Sequence, residues 1–274
     1  MNRPARLVLL GSPVAHSLSP AFQNAALASA ALAVRYEPID VAPAMLGDTL
    51  DALVREGAAG NATVPHKEAV FARCATRTAV AERVGAVNTF WVSGGELHGD
   101  NTDVGGFERA VAALTGDAMP GRIAIIGAGG AAAAACVAAE RRDAREVRIA
   151  TRTVERADRL AERFPALVTV YTALEAALED VELVVNATPL GLRDDDAFPV
   201  AVEMIPADAP VLDLVYGPGE TRWVRAARAA GHRAADGLRM LLEQGALAFE
   251  RWFGFPPDRG AMSRAIHERT GRLV

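Results

Sequence analysis

Residues 122–140, RIAIIGAGGAAAAACVAAE, decide how this chain is read. Ile123, Ala124, Ile125 and Ile126 make an uninterrupted apolar run, as a parallel strand covered on both faces requires. Gly127, Gly129 and Gly130 follow at once. A β-carbon there would hold a diphosphate away from the backbone N–H groups, which together with the positive end of the next helix bind it. The alanines from Ala131 to Ala135 let that helix lie close on a sheet. A second strand over 146–150 comes at the spacing of a βαβ unit, so the stretch predicts a dinucleotide fold rather than a tight turn that holds nothing.

Working outward, the uncharged run from Ile123 to Ala139 is no membrane span. Its glycines and alanines are too weakly apolar, and it falls short of the roughly 20 residues a bilayer needs. The chain has 274 residues, enough for two domains with substantial cores. Charged residues make up 23% and hydrophobic ones 51%, the balance of a globular protein in water. A net charge of −5 offers no basic footprint, which argues against nucleic acid as a partner. Cys74 and Cys136 lie far apart, so neither a disulfide framework nor a zinc ribbon is expected. The apolar run at Leu7–Leu10 is too short for a signal peptide, and a reducing cytoplasm is the expected location.

Residues 7–10 read as a strand that runs into GSPVAHSLSP, residues 11–20. Ser19 and Pro20 form a helix start, the serine as N-cap and the proline in the first helical position, with the helix reaching about Ala33. Taken alone, Ser17 and Ser19 do no more than cap it. A strand over 35–41 and a helical repeat of Leu46, Leu50, Leu53 and Val54 come next. In GNATVPHKEA, residues 60–69, a strand ends in polar residues, and Lys67 by itself reads as a solvated charge. GAVNT (85–89) and GDNTD (99–103) flank an expected hairpin of 90–92 with 96–98. Asn88, Asp100, Asn101, Thr102 and Asp103 concentrate hydrogen-bonding side chains, a composition that solvated loops share. Asp100 and Asp103 lack the order of a calcium loop, and His16, His66, His98, His232 and His267 form no HExxH, so no metal is expected.

A helix over 104–114 should lead to the glycine-rich strand, followed by a helix over 155–164, a strand over 168–170 and a helix over 173–178. In VELVVNATPLGL a buried strand over 181–185 carries Asn186, Thr188 and Pro189 at its carboxyl end, the edge where open α/β sheets hold ligands. Asp194, Asp195 and Asp196 read as a solvated acidic loop. A strand over 211–215 ends at Tyr216, and a helix covers 221–230. After Gly237 a long helix carries Leu238, Leu241, Leu242, Leu247 and Phe249. Gln244 among them needs partners, either a ligand or a buried hydrogen bond. A final amphipathic helix over 258–268 is expected to pack on the N-terminal region.

SPVAHSLSP, NATVPHK, GAVNT, GDNTD, GAGGAAAA, NATPLG, DLVYGP and GLRMLLEQGALAFERWFG run in order from Ser12 to Gly254, and by them the chain resembles the shikimate dehydrogenase family. The resemblance implies an α/β protein with an N-terminal α/β substrate and catalytic domain (1–103 with 239–274). It also implies a Rossmann-like, doubly wound NADP-binding domain (104–238), the C-terminal helices returning to the first domain. The implied reaction is the reversible NADPH-dependent reduction of 3-dehydroshikimate to shikimate, in aromatic amino-acid biosynthesis. The implied partners are small molecules, with neither nucleic acid nor membrane, and the implied assembly is a monomer or homodimer.

Carried over residue by residue, Lys67 and Asp103 would be the catalytic pair. Ser17, Ser19, Thr63, Lys67, Asn88, Asp103 and Gln244 would hold substrate, with Tyr216 nearby. Gly127, Ala128, Gly129, Gly130, Ala131, Thr151, Arg152, Thr153, Arg156, Asn186, Ala187, Thr188, Leu214 and Gly237 would hold the cofactor. Arg152 and Arg156 stand where an NAD enzyme places an acid, and two guanidinium groups suit a 2′-phosphate, so NADP is expected. Thr151 stands where the family usually has asparagine, which removes one adenosine contact. Three other readings stay open. A quinate/shikimate dehydrogenase with relaxed NAD or NADP use keeps the fold, and so does a catalytically silent NADP-binding sensor. A tetrahydrofolate dehydrogenase has a related architecture but no reason to carry the serine pair and GDNTD.

Overall fold

The computed structural model describes residues 3–193 and 195–274; Asp194 of the acidic loop lies outside them. The chain divides into two compact units, Met1–Gly106 with Leu241–Val274, and Phe107–Met240. The first unit begins with β1 (Leu7–Gly11), α1 (Ser19–Ser29), β2 (Tyr36–Asp40), α2 (Leu46–Glu56), β3 (Ala59–Ala62) and α3 (Lys67–Arg73). It continues through β4 (Thr76–Arg77), α4 (Ala79–Val84), β5 (Thr89–Ser93) and β6 (Glu96–Asp100) into α5 (Asp103–Thr115). Its sheet has the order β2-β1-β3-β5-β6-β4. β1 is parallel to β2 and β3, whereas β5 runs antiparallel to both β3 and β6.

This mixture of directions places the site. β1 and β3 end at one edge of the sheet, β5 starts there, and β6 returns to it across a turn in which Gly94 and Gly95 both take positive φ. One side of the sheet packs Val8, Leu10, Leu50, Leu53, Ala62, Val70 and Phe90 into a core. Gly60 is dictated by closeness, since a β-carbon on it would lie 2.1 Å from the Val8 carbonyl oxygen on the neighbouring strand.

The second unit contains β7 (Arg122–Ile126), α6 (Gly130–Arg141), β8 (Glu146–Ala150), α7 (Val154–Arg163), β9 (Val168–Tyr171), α8 (Leu174–Leu178) and β10 (Leu183–Asn186). β11 (Val211–Asp213), α9 (Arg222–Ala229) and β12 (Ala234–Ala235) complete its sheet. All its strands are parallel, in the order β12-β11-β10-β7-β8-β9. The chain therefore winds outward from β7 through β9, then returns to β10 on the other side of β7, which is the doubly wound arrangement with its switch point between β7 and β10. α10 (Leu238–Phe253) and α11 (Arg259–Thr270) follow, and α11 packs along α1 as its sequence suggested.

Two local expectations need correction. Ser19 is not the N-cap of α1. The helix starts from the Leu18 carbonyl, which accepts from Ala21 N–H, and Ser17 Oγ accepts the Ser19 N–H at 3.2 Å. α1 also stops at Ser29 rather than near Ala33, because Ala31 adopts φ 53° and Leu32 N–H donates back to the Leu27 carbonyl.

The strand contact predicts a contrast between two glycines. Gly60→Ala should destabilise the fold by about 1–3 kcal/mol, the cost of overpacking against backbone. Gly47→Ala in α2, with nothing near its would-be β-carbon, should stabilise by about 0.5–1 kcal/mol. Urea unfolding followed by circular dichroism measures both.

Candidate active site

The loops leaving the shared edge of the first sheet come together because their strands are neighbours. Gly11 closes β1, and a β-carbon on it would sit 2.6 Å from Thr63 Cγ2. Thr63 N–H donates to the Leu10 carbonyl and His66 N–H to the Thr63 carbonyl, which forms the turn into α3. Buried His66 places Nε2 2.7 Å from the Val41 carbonyl, and Val87 N–H donates to the Lys67 carbonyl. Lys67 is thus fixed at the first residue of α3.

Lys67 Nζ donates to Asp103 Oδ2 at 2.6 Å, with side-chain exposures of 23% and 9%. The other oxygen of Asp103 accepts from Asn88 Nδ2 at 2.8 Å, and its N–H donates to Asn101 Oδ1. Asn88 Oδ1 accepts from the N–H and hydroxyl of Thr102 and from the hydroxyl of Thr89. Gln244, on α10, points Oε1 at Asn88 Nδ2 and donates from Nε2 to the Leu241 carbonyl. Lys67, Asn88, Asp103 and Gln244 therefore form one connected group, which leaves an ammonium and a partly reachable carboxylate side by side. Such a pair can stabilise charge on a substrate oxygen and exchange a proton with it.

Residues outside the quoted candidates hold this group in place. Asn61 Nδ2 donates to the Asn88 carbonyl and to Thr89 Oγ1, and buried Tyr36 donates its hydroxyl to Asn61 Oδ1 at 2.8 Å. Burial keeps the Tyr36 hydroxyl well above its ordinary pKa, so it stays a donor. Asp100 does not share Lys67. It accepts from Arg251 Nη2 and Thr78 Oγ1, both at 2.5 Å, and from Asn101 N–H. The position of Asn61 in NATVPHK gave a signal that could have been read. Arg251 gave none, since its partner lies 151 residues away.

In the second unit a cavity of about 430 Å³ opens at the carboxyl ends of β7, β8 and β10, along the switch point. Gly127, Ala128, Gly129, Thr151, Arg152, Thr153, Arg156, Ala187 and Thr188 line it, with Tyr171 and Leu174 as apolar wall. Gly130, Ala131, Asn186, Leu214 and Gly237 are not among its lining residues. Asn186 is fully buried behind the wall, and Gly237 has no room for a β-carbon, which would lie 2.4 Å from the Leu214 carbonyl oxygen. Tyr216 belongs to this unit, after β11.

The glycines of the turn divide by cause. Gly127 takes φ 109°, and a β-carbon on it would press on the Ala187 carbonyl at 2.9 Å. Gly129 and Gly130 face open space, with nothing within 4 Å of a β-carbon. No side chain caps the N-terminus of α6, so its first N–H groups remain available. Exposed Arg152 and Arg156 form no ion pair among the described residues. A cradle of bare N–H groups beside two guanidinium groups fits a dinucleotide diphosphate with a further phosphate.

Family models match along the chain: the shikimate dehydrogenase substrate binding domain over residues 9–90, shikimate / quinate 5-dehydrogenase over 110–190, and the shikimate 5'-dehydrogenase C-terminal domain over 237–267. A shikimate dehydrogenase (NADP(+)) from Methylocella silvestris is 44% identical over 264 residues, 94% of each protein. The Thermus thermophilus shikimate 5-dehydrogenase, solved in complex with NADP(H) and shikimate, has a TM-score of 0.88 at 39% identity, covering 96% of this chain and 99% of that one. A quinate dehydrogenase from Corynebacterium glutamicum in complex with NAD has a TM-score of 0.88 at 30% identity, covering 96% of this chain and 98% of that one.

The glycine contrast is testable. Gly129→Val should fold with a melting temperature close to that of the parent, because its β-carbon has no protein atom within 4 Å, yet lose dinucleotide binding. Gly127→Val should lose stability by more than about 1 kcal/mol from its positive φ alone. Thermal melts and calorimetric titration separate the two effects.

Proposed function

The chain belongs to the shikimate dehydrogenase family, and on that premise we propose that it catalyses the reversible reduction of 3-dehydroshikimate to shikimate with NADPH. The observation that carries the proposal is the 2.6 Å contact of Lys67 Nζ with Asp103 Oδ2 at an edge that solvent reaches. In this reading the first unit binds substrate. Ser17, Ser19, Thr63, Asn88 and Gln244 hold its hydroxyls and carboxylate. The second unit binds NADP(H) through Gly127, Ala128, Gly129, Gly130 and Ala131, through Thr151, Arg152, Thr153 and Arg156, and through Ala187, Thr188, Leu214 and Gly237, with buried Asn186 supporting that wall from behind.

When bound, the reduced nicotinamide supplies hydride to the ketone carbon. Lys67 stabilises the negative charge that grows on the ketone oxygen and delivers the proton that completes the alcohol. Asp103 orients the ammonium and accepts from the neighbouring substrate hydroxyl. Asn88 keeps the carboxylate turned toward Lys67 by occupying its other oxygen. Arg152 and Arg156 clamp the 2′-phosphate that distinguishes NADP from NAD. We place the enzyme in the cytoplasm as a monomer or homodimer. Burial pushes the Cys74 thiol up to about 11 and the Cys136 thiol up to about 12, so both stay protonated and unreactive there.

A spectrophotometric assay of reduced nicotinamide, with shikimate and quinate each against NADP and NAD, tests the reading. Shikimate with NADP should give the highest kcat/KM, and turnover only with quinate and NAD would overturn it. Lys67→Ala should lower kcat by about 10²–10⁴-fold with a smaller effect on the KM for shikimate. An effect confined to KM would contradict the assignment of Lys67 to chemistry.

Replacing both arginines, Arg152→Ala with Arg156→Ala, should raise the KM for NADP about 10- to 100-fold while leaving the KM for NAD nearly unchanged. Equal changes for the two cofactors would remove the clamp from the mechanism.

A further inference from the structure

Asp213 ends β11 beside Asn186, its register partner at the end of β10, and both side chains are fully buried. Its Oδ1 accepts from Asn186 Nδ2 at 2.8 Å and from Val215 N–H at 3.1 Å, and its Oδ2 accepts from the Thr221 hydroxyl at 2.7 Å. All three hydrogen-bond partners donate, and Asp213 forms no ion pair among the described residues. A carboxylate enclosed in this way carries a desolvation cost that position alone must justify. Burial raises the carboxyl pKa, opposed by these hydrogen bonds, and Asp236 adds to the rise.

The consequence lies one residue further out. Asp213 is acceptor-only when ionised, so it decides which end of the Asn186 amide faces it. With the NH₂ group turned to Asp213 and to the Leu190 carbonyl, Asn186 Oδ1 faces the other way and accepts from both the N–H and the hydroxyl of Thr188. The Thr188 hydroxyl in turn accepts from Leu190 N–H. Residues 187–190, all of which line the cavity in the second unit, are thereby fixed by a chain of hydrogen bonds that begins at a carboxylate no ligand can touch.

We propose that Asp213 is a positioning residue for the dinucleotide, acting through Asn186 to hold the wall formed by Ala187, Thr188, Pro189 and Leu190 against Gly127. This inference rests on the reading of that cavity as the NADP(H) site. Asp213→Ala leaves the amide of Asn186, the Thr221 hydroxyl and Val215 N–H without their acceptor. It should weaken NADPH binding by about tenfold in calorimetric titration, the loss expected for buried donors left unpaired, while the KM for shikimate stays within about twofold. Asp213→Asn keeps an oxygen for Asn186 and Val215 and should recover most of the affinity, a rescue that general destabilisation would not give.

The two readings fail differently. If the unmodified enzyme binds NADPH and Asp213→Ala binds it equally well, the positioning role is overturned and the cofactor site stands. If the unmodified enzyme does not bind NADPH, both fall. An equal rise in the KM values for NADP and shikimate also overturns the proposal. Should Asp213→Ala fail to fold, Thr221→Val removes one donor from Asp213 and leaves the carboxylate in place. It should weaken NADPH binding about threefold, less than complete loss of the acceptor, and unchanged binding would again overturn the proposal.

Discussion

The contact between Lys67 and Asp103 sets the terms for the rest of the first unit, because an ammonium and a carboxylate largely removed from water must be held by partners on every free position. The two residues lie 36 positions apart and on different elements. They meet because β1 and β3 end where β5 begins and β6 returns. That edge also receives Asn88, which spends its amide oxygen on Thr102 and Thr89 and its amide hydrogens on Asp103, Thr102 and Gln244. Asn61 and Tyr36 support it from below. Each layer satisfies the one in front, and the pair keeps one partly exposed face.

Charge is kept separate within the same turn. Asp100 lies three residues before Asp103, and a second carboxylate competing for Lys67 would loosen the pair. Arg251 from α10 takes Asp100 instead, with Thr78 and Asn101 completing its shell. Arg251 also lies over the Trp91 ring, 5.5 Å from its centroid, which fixes the guanidinium from its other side. The C-terminal segment thus contributes twice to the site, through Gln244 in the connected group and through Arg251 behind it.

What could be read from the sequence followed from local pattern. The apolar runs indicate β1, β7 and β10, βαβ spacing indicates β8, and glycine with its flanking strand and helix indicates the turn at 127–130. Only the family resemblance brought together the candidates of the first unit, and it could not say that Asp100 and Asp103 have different cations. The residues that escaped are those whose signal is tertiary. β4 and β12 are two residues long and exist only by pairing, and α3 and α4 are too short to show a period. Ala31 adopts the left-handed conformation that glycine usually signals, so the sequence carries no local mark of the end of α1. Asp213 falls inside the strand expected over 211–215, which ends at Asp213 itself because the pairing does, and nothing local marks its side chain.

Asp103 and Asp213 show how far environment separates two identical side chains. Asp103 has a cation on one oxygen and an amide on the other, and its side chain remains 9% exposed. It can therefore exchange a hydrogen bond with an incoming hydroxyl without leaving Lys67 uncompensated. Asp213 is fully buried, and its three hydrogen-bond partners are all donors. Moving it away would strand three donors at once. A reactive carboxylate needs a partner it can share. A positioning carboxylate needs partners it cannot exchange, and the hydrogen bonds of Asp103 and Asp213 differ in that same way.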